Sequence, residues 1–258
     1  MININLLIKD GIYFTRENNT YHFISDENDR PWWSKALDNS YDNSSNDLFM
    51  ESQYEIHNIH VNDDIQMIDF FQYITSSGGI IVDLASGPSG YFSPVFNFMK
   101  EDSIFIATDA SKNVINAHQK ACKDTRFLIF DINLDNKLPF KDESIDVFSA
   151  NLLNNVDNYR GLLMEISRSL KPYGRFAVIE LFYEFGTKTY DYLKERNAVF
   201  SSLEDYIAIC KDFGLKYKGS KVKKEIIGRI AEGDLFPIGE NDKCLETIVF
   251  FEKEKPKK

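Results

Sequence analysis

The chain has 258 residues, 43% of them apolar, 14% aromatic and 27% charged, which excludes a disordered or low-complexity polymer and supplies enough apolar side chains for a large core. Thirty Lys and Arg against forty Asp and Glu give a net charge of -10, so a nucleic-acid partner would have to dock on a local basic patch against the overall field. Cys122, Cys210 and Cys244 are too scattered for a disulfide framework and form no CxxC pair, so no metal is expected and a reducing cytoplasm is the natural setting. The opening MININLLIKD lacks the basic region and cleavage site of an export signal, and no apolar run approaches the ~18 residues of a membrane span.

Residues 1 to 62 are rich in Asn, Asp, Tyr and Trp and read as an N-terminal cap. Within it, DGIYFTRENNTYHFI alternates apolar and polar residues about Asn18 and Asn19, the pattern of a β-hairpin. PWWSKALDNSYD reads as a short helix with Pro31 near its first turn. From Asp63 a helix through DDIQMIDFFQYITSS closes at Gly78 and Gly79, and an alternation of strands and helices begins. Strands are expected at 80–84, 104–108, 127–130, 145–150, 175–182, about 215–227 and 244–252. Runs such as IFIAT and FAVIEL are continuously apolar, as in strands covered on both faces of a parallel sheet. The last two strands have no helix between them and should pair antiparallel. The expected architecture is α/β, a doubly wound and mostly parallel seven-stranded sheet over residues 63 to 252, with the basic tail at 253 to 258 left disordered.

The stretch IIVDLASGPSGYFSP concentrates the chemistry. An apolar strand ends on Asp83, and the small residues Ala85, Ser86, Gly87, Ser89 and Gly90 lead into a helix expected near Tyr91. Such residues let backbone approach a ligand closely, and the helix start favours an anionic group. Ala85, Gly87 and Gly90 also match the loose spacing of a dinucleotide loop, but the Asp83 carboxylate would repel a pyrophosphate and suits a ligand with an ammonium group. Asp109 ends the next strand, where an acid accepts hydrogen bonds from ribose hydroxyls, and Asp131 follows the third, within reach of an adenine amine. Each acid alone could be a strand-end turn or helix cap. Three on three successive strands after a small-residue turn are hard to explain that way.

Residues 60 to 252 resemble the class I S-adenosylmethionine-dependent methyltransferases. The specific part lies in residues 80 to 90, in Asp109, in LPFKDESIDVFSA and in EISRSLKPYGRFAVIE; the small-molecule members of quinone biosynthesis are similar around NLLNNVDN. The resemblance implies S-adenosylmethionine as cofactor and S-adenosylhomocysteine as product. It places Asp83, Ala85, Ser86, Gly87, Ser89 and Gly90 about the methionine end, Asp109, Ala110 and Ser111 at the ribose, Asp131 and Ile132 at the adenine, and Asn151 under the sulfonium side. Where the family often has Gly, this chain has Ser89 and Tyr173, leaving Gly174 to supply any positive φ in the second turn.

The acceptor side is less defined, because an activated methyl group asks mainly for alignment. His57 and His60, three apart, are candidates for a general base or ordinary cap residues; Tyr41 is either a cofactor neighbour or a packing partner of Trp33. Trp33, Tyr41, Asn155 and Tyr183 are the expected substrate contacts, with residues 183 to 200 helping to close the pocket. No NPPY-like tetrapeptide follows the fourth strand and no cysteine is placed for attack on a pyrimidine. The expectation is a small-molecule acceptor, with a non-catalytic S-adenosylmethionine-binding module or an RNA methyltransferase as the competing readings.

Overall fold

The structure is a computed structural model that describes residues 4–40, 64–87, 92–228 and 239–255. Its strands are β1 (Thr15–Glu17), β2 (Thr20–His22), β3 (Ile80–Leu84), β4 (Ile104–Asp109), β5 (Phe127–Asp131), β6 (Ile145–Asn151), β7 (Leu170–Tyr183), β8 (Leu215–Ile227) and β9 (Lys243–Lys253). They form one sheet in the order β1-β2-β5-β4-β3-β6-β7-β9-β8. The chain starts in the middle at β3, steps out through β4 and β5, then returns to β6 and β7 on the other side. The carboxyl ends of β3 and β6 therefore flank the point where the winding reverses, the place where open α/β sheets hold ligands. β9 runs antiparallel to both β7 and β8.

The helices are α1 (Trp32–Ser40), α2 (Ile65–Thr75), α3 (Lys112–Ala121), α4 (Tyr159–Ser169), α5 (Lys188–Glu195) and α6 (Leu203–Asp212). α2 shows how sequence sets position. Asp64 caps it by accepting from Gln66 N and Met67 N, its spacing puts Met67, Phe70, Phe71 and Ile74 on one buried face, and Gly78 and Gly79 follow at φ +72° and +85°. Each such buried side chain contributes about 2 kcal/mol relative to exposure. A side chain at Gly79 would meet the Asp146 carboxylate at 2.2 Å, and Asp146 in turn accepts from Ile80 N at 2.8 Å. The entry to β3 is thus set by a glycine and an acid on the neighbouring strand. One face of the sheet packs against α2 and the segment around Phe92 and Val95, the other against α4, α6 and the N-terminal residues Ile4, Leu7 and Ile8.

Three local features differ from the sequence reading. The hairpin is not detached from the sheet: β2 pairs parallel to β5, Tyr21 opposite Phe130 and His22 opposite Asp131, and extends the sheet from seven strands to nine. Tyr21 and Phe14 pack their rings toward Phe130 and Phe23, which supplies the apolar surface that holds the hairpin there. After the first turn a short 3-10 segment, Ser93–Asn97, stands where a longer helix was expected. In the turn before the parallel part of β7, Tyr173 itself takes φ +65°, its ring largely exposed; Gly174 is needed for space, since a Cβ there would lie 2.8 Å from Lys171 O.

Candidate active site

β3 leads into a turn in which Ala85 has φ +48° and Gly87 φ +64°. A left-handed Ala costs about 1 kcal/mol, and the turn repays it with anchors to β4. Ser86 N donates to Thr108 O at 2.8 Å, Thr108 N donates to Ser86 Oγ at 3.1 Å, and Ala85 N donates to Thr108 Oγ1 at 3.3 Å. Among the described residues, a Cβ built on Gly87 would meet nothing nearer than Ala85 O at 3.9 Å. That is the surface a ligand could approach closely.

Two of the acids surround this turn. Asp83 is buried and its Oδ1 accepts from Ser149 Oγ on β6 at 2.7 Å. Asp109 is 1% exposed; one oxygen accepts from Gly87 N at 3.0 Å, the other from Ala110 N and Ser111 N, both at 2.8 Å. Burial pushes its carboxyl up to about 6 against the pull of those three N–H groups, with nearby Asp38 adding to the rise. Ile132, also buried, donates its N–H to Asp109 O at 3.0 Å. The structure thus gathers Asp83, Ala85, Ser86, Gly87, Asp109, Ala110, Ser111 and Ile132 at the carboxyl edge of β3, β4 and β5.

Asp131 is placed there too, but most of its accepting capacity is already used. Arg30 forks onto it with Nη1 and Nη2 each at 2.9 Å, and His22 Nδ1 lies 3.0 Å from Oδ2, so about three of a carboxylate's four lone-pair directions are engaged. Arg30 Nη1 also donates to Ala110 O at 2.5 Å. A few residues on, Asp38 of α1 accepts from Ser111 Oγ at 2.6 Å and Asn113 N at 3.1 Å, capping α3 from outside. Trp32 Nε1 donates to Asp157 Oδ2, in the loop after β6, at 3.2 Å. Residues 30 to 38 therefore touch both halves of the carboxyl edge. Trp33 is buried, and its Nε1 has no hydrogen-bond partner among the described residues.

On the other half, Asn151 ends β6 with a buried Oδ1 that has no partner among the described residues. Leu152 follows at φ +62°, its N–H donating to Ile179 O at 2.9 Å, and Leu153 N donates to Glu180 Oε1 at 2.8 Å. Asn155 lies half-buried in the same loop, and Tyr183 is buried at the end of β7. Tyr41, His57, His60, Ser89 and Gly90 lie outside the described residues. Sequence reasoning did not single out Arg30, Asp38 or Glu180. The first two act through contacts 73 to 101 residues away in the chain, while Glu180 carried a usable signal, an acid within the apolar run FAVIEL.

An acid at the end of each of the first two inner strands, a left-handed turn and an amide acceptor without a partner among the described residues are compatible with a cationic amino-acid nucleoside held at the carboxyl edge of an α/β domain. Residues 82–178 match the model of a methyltransferase domain. The ubiquinone/menaquinone biosynthesis C-methyltransferase UbiE of Rickettsia prowazekii is 26% identical over 180 residues, covering 57% of this chain and 73% of its own. Among solved structures, the geranyl diphosphate C-methyltransferase of Streptomyces coelicolor, crystallised with S-adenosylhomocysteine, superposes with a TM-score of 0.53 at 15% identity over 73% of this chain and 78% of that one. An N-methyltransferase of Haemonchus contortus, bound to phosphomonomethylethanolamine and S-adenosylhomocysteine, gives 0.51 at 16% identity over 75% and 53%. The chain thus carries a methyltransferase domain, with S-adenosylmethionine as its cofactor, on the α/β fold that these solved methyltransferases share. Among the described residues no helix is long and apolar enough to cross a membrane.

Proposed function

We propose that the enzyme transfers a methyl group to a small-molecule acceptor, with the acceptor lying between residues 30–38 and the loop after β6. The observation that carries this reading is the pair of buried polar atoms that have no partner among the described residues, Trp33 Nε1 and Asn151 Oδ1, on the two elements joined by Trp32 and Asp157. A buried donor and a buried acceptor left open each cost about 1–3 kcal/mol, a cost that a polar ligand between them would offset. The similarity to relatives whose names state C-methylation in quinone biosynthesis, and the net charge of -10, support a small molecule over a nucleic acid.

When bound, S-adenosylmethionine supplies a methyl group already activated by positive sulfur. In this reading Asp83 orients the amino-acid end, Asn151 lies under the sulfonium side where cofactor and acceptor meet, and Asp109 accepts from the ribose hydroxyls. Asp131 keeps one accepting direction for adenine while Arg30 and His22 hold it in place. The acceptor nucleophile, O, N or C, is aligned for in-line displacement and water is excluded by Trp33 and Tyr183, so orientation supplies much of the rate. His57, His60 and Tyr41 stand as the candidates for a general base.

Calorimetry with S-adenosylhomocysteine tests the cofactor half, with binding expected for the wild type and lost in Asp109→Ala. Isotope-labelled S-adenosylmethionine incubated with small-molecule extracts and with total RNA tests the acceptor half. Label in the small-molecule fraction supports the reading, and label in RNA alone sinks it.

A further inference from the structure

Glu180 is a buried acid that the cofactor site does not use. It sits on β7 one residue past Ile179, which pairs with Asn151, and its side chain is fully buried on the face that packs against α4 and α6. Its Oε1 accepts from Leu153 N at 2.8 Å and from the Tyr159 hydroxyl at 2.9 Å; Tyr159 Oη in turn lies 2.9 Å from Tyr206 Oη. Its Oε2 is buried with no partner among the described residues. The titratable groups facing it are the Tyr159 hydroxyl from α4, the Tyr206 hydroxyl from α6 and, behind Tyr206, the Cys210 thiol; across the sheet it faces Thr247 of β9.

This arrangement holds a strained piece of backbone. Leu152, a branched residue at φ +62°, is kept there by two consecutive N–H groups fastened to β7, its own to Ile179 O and that of Leu153 to Glu180. Such outliers persist only when the surroundings over-determine them, and they gather at functional sites. The residue immediately before the outlier is Asn151, with its orphaned Oδ1.

We infer that Glu180 is a positioning residue: it fixes the Leu152–Leu153 turn, thereby aims Asn151 at the bound cofactor, and holds that turn less firmly when it carries a proton. The inference rests on the methyltransferase reading for the role of Asn151 but not for the coupling itself. Burial pushes the Glu180 carboxyl up to about 7, so the change falls near neutral pH. A proton on the free Oε2 leaves Oε1 accepting as a neutral carbonyl instead of a carboxylate, which weakens the hold on Leu153 without removing it.

The Leu153 amide resonance, followed by NMR in the full chain, reads the coupling directly. In the wild type it should shift with a midpoint between about pH 6 and 8, and the shift should vanish in Glu180→Gln, which keeps an accepting oxygen but cannot ionise. S-adenosylhomocysteine titrated by calorimetry at pH 8 reads the consequence: Glu180→Ala should bind about tenfold more weakly than wild type, and Glu180→Gln, the neutral mimic of the protonated acid, about threefold more weakly, the range expected for losing or weakening one buried hydrogen bond. A Leu153 amide that does not titrate overturns the coupling, whether or not the ligand binds. Equal affinity in Glu180→Ala and wild type overturns the positioning of Asn151. A wild type that binds no S-adenosylhomocysteine while Leu153 titrates overturns the cofactor reading and leaves the coupling standing.

Discussion

On the β4 side of the sheet's carboxyl edge, Asp109 is surrounded by three backbone N–H donors that come from the turn and from the start of α3, all within 3.0 Å. On the β7 side, Glu180 has a backbone N–H at 2.8 Å, a tyrosine hydroxyl at 2.9 Å and one oxygen left alone. Both are buried acids without a basic hydrogen-bond partner among the described residues, and burial raises both carboxyls by a similar amount, to about 6 and about 7, but the donors around them differ. Backbone dipoles fixed by the fold engage both oxygens of the first acid, whereas the second keeps one oxygen free of hydrogen bonds among the described residues.

Asp131, the third acid, is the extreme of the first kind, because it has a formal cation in its fork. Removing that cation should give the largest effect. Arg30→Ala leaves a buried carboxylate without its counter-charge and is expected to cost about 3–5 kcal/mol in chemical denaturation; an unchanged midpoint would mean that His22 alone suffices. Glu180 gives the next largest and has the opposite sign. Its pKa is raised in the folded state, so the unfolded chain gives up its proton first and stability falls as pH rises from about 4.5 to about 7. Glu180→Gln escapes this loss and should melt higher than wild type near pH 8, by up to about 3 kcal/mol, with the advantage disappearing near pH 4. A variant no more stable than wild type at the higher pH would erase the contrast between the two halves.

Asp109 should show a smaller dependence in binding. In its proposed role Asp109 accepts from ribose hydroxyls as the ionised carboxylate, so affinity for S-adenosylhomocysteine is expected to rise through about pH 6, by up to roughly tenfold between pH 5 and 7.5 by calorimetry. Asp38→Ala, which removes an outside cap from α3 and leaves the three N–H groups that donate to Asp109 in the chain, should cost only about 1 kcal/mol of thermal stability. A loss as large as that of Arg30→Ala would show that α1 is held mainly from this end.

The strands were legible because β3 and β5 are buried at every residue, and only a fully covered parallel strand is written as an unbroken apolar run. Asp83 and Asp109 were legible for a related reason: an acid at the end of such a run has few structural excuses. Asp131 was legible as a position but not as an environment, since nothing in FDINLDNK announces an arginine 101 residues earlier. The placement of β2 was hidden for the same cause. Two residues of turn specify a hairpin locally, but the parallel pairing with β5 is a long-range choice made by Tyr21 and Phe130. Tyr173 went the other way, because a neighbouring glycine offered an easier φ and the steric demand at Gly174 is visible only in three dimensions.

The hairpin has a further effect on how copies of the enzyme meet one another. By covering β5 it ends the sheet on β1, three residues long and exposed throughout. The other margin, β8, carries Lys216, Lys218, Lys221, Lys223 and Lys224. A strand too short to template and a strand crowded with positive charge are both poor partners for edge-to-edge addition, so the nine-stranded sheet is protected at each border against growing into its neighbour.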